Sequence, residues 1–253
     1  MLHYDQPTKP MIKFFRKIRQ GLLSENKFSK YLIYAIGEVF LVVVGILIAL
    51  QINNWNENKK QIKKEDKVLQ QFKNELNEDL FILDEITTSN KFIIKSCNEL
   101  IKHLENNMPY DDSLSLYFDG WASPNVLEFN GSTYQNLTTI GPELIRNEHL
   151  RNSILKLYNF SYKKAKTYND YFRGDFHSFI APIQLQNVEA VEWGKSSVPL
   201  DYESLKKNVL FINALKWSKN GHQSNNKEFS NLREKITSII EMIDTELNSK
   251  RFD

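Results

Sequence analysis

The chain has 253 residues, 33 Lys/Arg against 31 Asp/Glu, nine glycines and one cysteine. Setting aside about 55 residues for a basic head and an apolar run leaves roughly 200, enough for one soluble domain with its own core. The balanced charge gives little support to nucleic-acid binding, the scarcity of glycine argues against phosphate or dinucleotide loops, and a lone cysteine excludes an internal disulfide.

Residues 1–30 carry seven basic side chains (Lys9, Lys13, Arg16, Lys17, Arg19, Lys27, Lys30) against Asp5 and Glu25, so this head is +5 while the whole chain is +2. Within it, Phe14, Phe15, Ile18, Leu22 and Leu23 alternate with basic residues, which predicts a short amphipathic helix lying on an anionic leaflet. Gly21 and Ser24-Glu25-Asn26 separate it from the apolar run that begins at Tyr31.

The stretch 31–55, YLIYAIGEVFLVVVGILIALQINNW, has one charge between Tyr31 and Ile52, at Glu38, and an unbroken apolar run from Val39 to Leu50. It approaches the roughly 20 apolar residues that cross a hydrocarbon core as a helix, and its 24 steps span about 36 Å. Tyr31 and Tyr34 at one edge and Trp55 at the other stand where interfacial aromatic anchors are expected. No small-residue cleavage site comes after it, so the segment is read as an uncleaved anchor. Ala35, Glu38, Val42, Gly45 and Ala49 recur at spacings of 3 and 4, the form of a packing face on which Gly45-x-x-x-Ala49 admits a second backbone. Glu38 either hydrogen-bonds across such a contact or sits near the headgroups beside Tyr34. The basic count, seven before the span against Lys59, Lys60, Lys63, Lys64 and Lys67 after it, favours a cytoplasmic N-terminus in an inner membrane and a periplasmic domain over residues 56–253.

From Leu69 a stripe of Leu69, Phe72, Leu76, Leu80, Leu83, Thr87, Asn90, Ile94, Cys97, Ile101 and Leu104 predicts a helix of about 36 residues, either continuous with the span or broken at Thr87-Thr88-Ser89-Asn90. Asn106 to Pro109 ends it. The connector to Pro142 holds Gly120, Pro124, Gly131 and Gly141 and is dense in aromatics. Trp121, Phe129 and Tyr134 within it either cap a core or line a pocket. A helix from Asn147 carries Leu150, Ile154, Leu157, Ser161, Ala165, Tyr168 and Phe172 until Gly174 and Pro182 stop or kink it; Gln184 to Pro199 reads as loop. Asp201 caps a helix ending near Asn220-Gly221, and a last helix buries Phe229, Leu232, Ile236, Ile239, Ile243 and Leu247. The expectation is an all-α chain: one span, a stem helix with coiled-coil-like spacing and a four-helix-type bundle.

Ile12 to Glu57, with Ser24-Glu25-Asn26-Lys27-Phe28, Gly37-Glu38 and Asn53-Asn54-Trp55-Asn56, resembles the N-terminal signature of a family of uncharacterised single-span membrane proteins common in flavobacteria and other Bacteroidota. Ser132-Thr133-Tyr134-Gln135-Asn136-Leu137, Leu144-Ile145-Arg146-Asn147 and Leu150-Arg151 are similar, more loosely, to the middle region of its members. The resemblance implies a start at the position of Met11, and it implies no activity and no cofactor, because the family is a domain of unknown function.

No catalytic motif stands out. His3, His103, His149, His177 and His222 fall in no metal-binding spacing, Asp175-Phe176-His177 is an isolated polar cluster, Glu189 and Glu192 read as solvated carboxylates, and Cys97 reads as core. The expected function is a non-enzymatic membrane-anchored scaffold. Its partners are the lipid bilayer and, through the span, a second copy or another membrane protein, with no nucleic acid. The alternatives are a ligand-sensing extracytoplasmic domain using the connector 110–134, and an unrecognised enzyme.

Overall fold

The structure is a computed structural model that describes residues 28–192 and 194–249, with the side chains of 28–31 and 34 outside that description. The expected amphipathic helix before the span lies outside the described residues. The chain divides into two compact units, one ending at Ile62 and one beginning at Lys63. Among the described residues it is all-α apart from one small hairpin.

Helix α1 is Phe28–Glu105, with no break at Thr87 to Asn90. In the first unit thirteen large apolar side chains between Leu32 and Ile52 are exposed, from 46% at Val43 to 71% at Ile33, while Val44 is partly covered. This helix is long and apolar enough to cross a membrane, and none of its most apolar stretch is buried. Asn107, with φ 51°, turns the chain at the C-terminal end of α1.

In the second unit, α2 (Ser115–Gly120) and α3 (Ser132–Ile140) belong to the connector. Helices α4 (Glu148–Lys156), α5 (Tyr162–Asp175) and α6 (Ala181–Asn187) form one column, joined by π-helical turns over Leu157–Ser161 and Phe176–Ile180. Gly174 and Pro182 therefore do not end the column. Each π turn accommodates an extra residue, and Pro182 falls in the first turn of α6, where a missing N–H costs least. Tyr168, expected on the buried face, is exposed; Asn169 is buried in its stead and donates to the Asn125 carbonyl at 3.2 Å.

The stretch expected to be loop continues α6 to Asn187 and then forms an antiparallel hairpin, β1 (Val188–Glu192) with β2 (Ser196–Pro199). Val188 faces Pro199 and Ala190 faces Ser197, with a bulge before Glu192. Gly194, at φ 78°, supplies the left-handed residue of the turn. Strands this short carry little periodic signal. Ser197, buried, ties the hairpin to α2 by donating to Asp119 at 3.1 Å.

Asp201 caps α7 (Tyr202–Leu205) by accepting from the Ser204 amide. The helix expected from Asp201 breaks after Leu205, and α8 then runs Val209–Ser249 without stopping at Asn220-Gly221, so the remainder of that helix and the last expected one are a single helix. Its side chains order the unit. Asp244, Arg233 and Lys216 meet Lys73, Asp84 and Glu105, so α8 is antiparallel to α1. Glu246 and Glu228 meet Asn147 and Lys164, so it is antiparallel to the α4–α6 column as well. The connector descends along α1, from Gly120 against Phe92 to Arg146 on Glu65, and fills the fourth position of the bundle.

Two apolar clusters result. One gathers Phe72, Leu76, Ile154, Leu157, Leu232 and Ile236; the other gathers Ile93, Leu100, Phe118, Trp121, Phe211 and Leu215. Between them lies a polar layer of Asn90, Asn125, Asn169, His222 and Asn226.

Candidate functional site

The expected packing face of the span, Ala35, Glu38, Val42, Gly45 and Ala49, lies on one stripe of α1. A Cβ added at Gly45 would meet nothing within 4 Å. Tyr31 and Tyr34 belong to α1, but their side chains fall outside the described residues. Trp55 is 57% exposed, with the Lys59 ammonium 3.7 Å from its ring centroid.

Trp121, Phe129 and Tyr134 are not brought together into a pocket. Trp121 is fully buried, 5.2 Å from the Phe211 ring. Phe129 stacks on Tyr162 at 4.2 Å and Tyr134 on Tyr158 at 4.5 Å, in the other cluster. The aromatic side chains are spent on packing, because burying rings of this size is the largest gain open to a connector with little regular structure. A cleft of about 550 Å³ does lie beside the connector, lined by its small residues Gly120, Ala122 and Ser123 rather than by those three aromatics. Phe92 and Ile93 of α1, Phe176 of the second π turn and Val188 of β1 complete its apolar walls.

Buried acids form a second arrangement. Glu75 and Asp79 stand one turn apart on α1, flanking the apolar stripe. Glu75 accepts from the Thr133 amide at 3.1 Å, the Thr133 hydroxyl at 2.8 Å and the Ser132 hydroxyl at 2.5 Å, so it caps the start of α3. Asp79 accepts from the Tyr162 hydroxyl at 2.5 Å, and its Oδ1 and the Tyr158 hydroxyl have no hydrogen-bond partner among the described residues. Burial pushes the Asp79 carboxyl up to about 6, against the pull of the Tyr162 hydrogen bond, and burial also raises both tyrosines. Glu65, fully buried, accepts from the backbone N–H and Nε of Arg146.

In the polar layer, Asn90 Oδ1 accepts from Asn125 at 2.6 Å and lies 2.7 Å from His222 Nδ1, while its amide donates to Asn226 at 2.7 Å. An acceptor opposite Nδ1 requires the proton there, which leaves His222 Nε2 buried without a partner among the described residues. Burial lowers this imidazole to about 4.

Cys97 is buried with its thiol pushed up to about 12, a packed group and a poor nucleophile. His177, Glu189 and Glu192 are exposed, and Asp175 accepts from the Trp217 indole. Among the described residues no three His, Cys, Asp or Glu side chains gather as metal ligands. Sequence reasoning missed Glu65, Glu75, Asp79 and His222. A carboxylate pair at i, i+4 beside Phe72 and Leu76, and a tyrosine pair at the same spacing, Tyr158 and Tyr162, were its only visible signals.

No curated protein and no solved structure matches the chain. A family model matches residues 38–176, which takes in the second part of the apolar run, the connector, α4 and α5. That match covers more than half of the chain, and the protein belongs to this family, described as a family of unknown function, DUF6090.

Proposed function

We propose that the protein is a single-pass inner-membrane protein, anchored through residues 31–55, whose residues 56–253 act outside the cytoplasm as a non-enzymatic scaffold that binds a partner. The observation that carries the reading is the exposure of the apolar side chains of α1 from Leu32 to Ile52. Thirteen large apolar side chains on that stretch are each 46% exposed or more. At about 25 cal/mol per Å² of apolar surface, such a helix is not tolerated in water and is stable in lipid. The seven basic residues ahead of the span support a cytoplasmic N-terminus. The Glu38 and Gly45-x-x-x-Ala49 stripe supports association of spans, with a second copy of this chain or with another membrane protein.

Paired cysteine labelling tests the topology. In a Cys97→Ala background, an impermeant maleimide applied to intact cells should label Ser249→Cys and not Ser24→Cys, with both in the carbonate-resistant membrane fraction. Labelling of Ser24→Cys alone reverses the orientation, and release by carbonate overturns the anchor. Span association requires an oligomer of the full chain in bilayers that Glu38→Ala weakens. A monomer insensitive to that substitution removes this part of the reading.

A further inference from the structure

The cleft beside the connector has the build of a small-molecule site. Its volume of about 550 Å³ is in the range of sites that enclose drug-sized ligands. It is walled by four different elements, α1, the connector, the second π turn with α6, and the hairpin, and its surface is mainly apolar. The connector closes tightly on α1 at one wall, because a Cβ at Gly120 would lie 2.4 Å from the Phe92 ring.

One charge faces this space. Asp119 is the single ionisable side chain among the described residues that line it. Asp119 is half-buried at the C-terminal end of α2, and its Oδ1 accepts from the Ser197 hydroxyl of the hairpin, which fixes the carboxylate against the cleft wall. No Lys or Arg among the described residues pairs with it, and Oδ2 has no hydrogen-bond partner there. A carboxylate held in place beside apolar walls, with one oxygen unengaged, is complementary to a ligand that brings an apolar body and its own cation. An anionic ligand of the same shape would set like charges side by side.

We infer that this cleft binds an amphiphilic organic cation, an aromatic or aliphatic body carrying a protonated amine, with the body against Phe92, Ile93, Phe176 and Val188 and the ammonium on Asp119. The site lies within the second unit alone and does not depend on the anchor or its orientation.

The probes are 1-naphthylmethylamine, cationic at pH 7, and 1-naphthoate, an anion with the same ring system. Binding of each to the full chain in zwitterionic nanodiscs is measured by equilibrium dialysis, with empty discs subtracted. Two variants accompany the parent. Asp119→Asn keeps an acceptor for Ser197 and removes the charge. Ala190→Trp places a large side chain at an exposed strand position lining the cleft, where it fills the space without disturbing the core. Unchanged thermal midpoints establish that both variants fold. The amine should bind saturably at one site, at least tenfold more tightly than naphthoate; Asp119→Asn should abolish that preference, and Ala190→Trp should abolish binding. Equal binding of amine and naphthoate, or amine binding unaffected by Asp119→Asn, overturns the charge recognition. Absence of saturable amine binding to the parent, or binding unaffected by Ala190→Trp, overturns the cleft as the site.

Discussion

The ring of Phe172 occupies the space that Gly221 leaves on α8: a Cβ built there would lie 2.3 Å from both Cδ2 and Cε2. Gly221 therefore serves close helix packing inside a continuous helix, although Asn-Gly is a pattern that ordinarily ends one. In an exposed helix Gly→Ala gains stability, whereas here overpacking dominates. Gly221→Ala should lower stability by about 1–3 kcal/mol in urea unfolding of the full chain in detergent. Combined with Phe172→Leu, it should cost less than the two single changes added together. Independent, additive effects would show that the two residues do not compete for this space.

Asp79 and His222 bias stability in opposite directions over overlapping pH ranges. The Asp79 carboxyl titrates near 6 folded against 3.8 unfolded, so between those values the folded chain holds the extra proton and stability falls as pH rises. His222 titrates near 4 folded against 6.5 unfolded, so the unfolded chain holds the extra proton and stability rises with pH across that window. Relative to the parent, Asp79→Asn should gain about 2 kcal/mol on going from pH 4 to pH 7, and His222→Gln should lose about as much over the same interval. Urea midpoints taken at half-unit steps of pH separate the two. A variant whose slope matches the parent's eliminates the corresponding protonation.

Asn90 holds three partners in the layer between the two apolar clusters, accepting from Asn125 and His222 and donating to Asn226. Asn90→Leu leaves the buried His222 and the partly buried Asn125 and Asn226 without it and should cost about 2–4 kcal/mol. The neighbouring Thr88→Leu, at an exposed position, should change stability by less than about 0.5 kcal/mol. Thermal unfolding of both variants in the same detergent provides the comparison.

Cys97 should resist modification while the chain is folded, since its thiol is buried, lies 3.7 Å from the Trp121 carbonyl and is pushed up to about 12. A chromogenic disulfide reagent at pH 8 should report no fast thiol in the native protein and one thiol after denaturation. Rapid reaction of the native chain would show that the connector opens away from α1.

What was legible in the sequence is what depends on local periodicity. The stripe from Leu69 to Leu104 and the face from Phe229 to Leu247 are repeats of 3 and 4, and each forms a helix because one face must leave water, whereas the run 31–55 was readable from its unbroken apolar composition. The Asp201 cap was equally readable, since it depends on a side chain reaching an amide three residues away.

Only the tertiary structure decided the interruptions and the polar interior. Gly221 continues a helix because Phe172, 49 positions earlier, fills its missing side chain, and Pro182 is carried because a π turn precedes it. Trp121, Phe129 and Tyr134 looked equivalent in the connector, yet their partners Phe211, Tyr162 and Tyr158 lie on two other columns and divide them between two clusters. Asp119 faces an apolar cleft because a hairpin too short to show alternation folds back on α2. Local pattern sets which segments become helices; contacts between residues far apart in the chain set where those helices continue, which carboxylates are buried, and which charge among the described residues faces the apolar cleft.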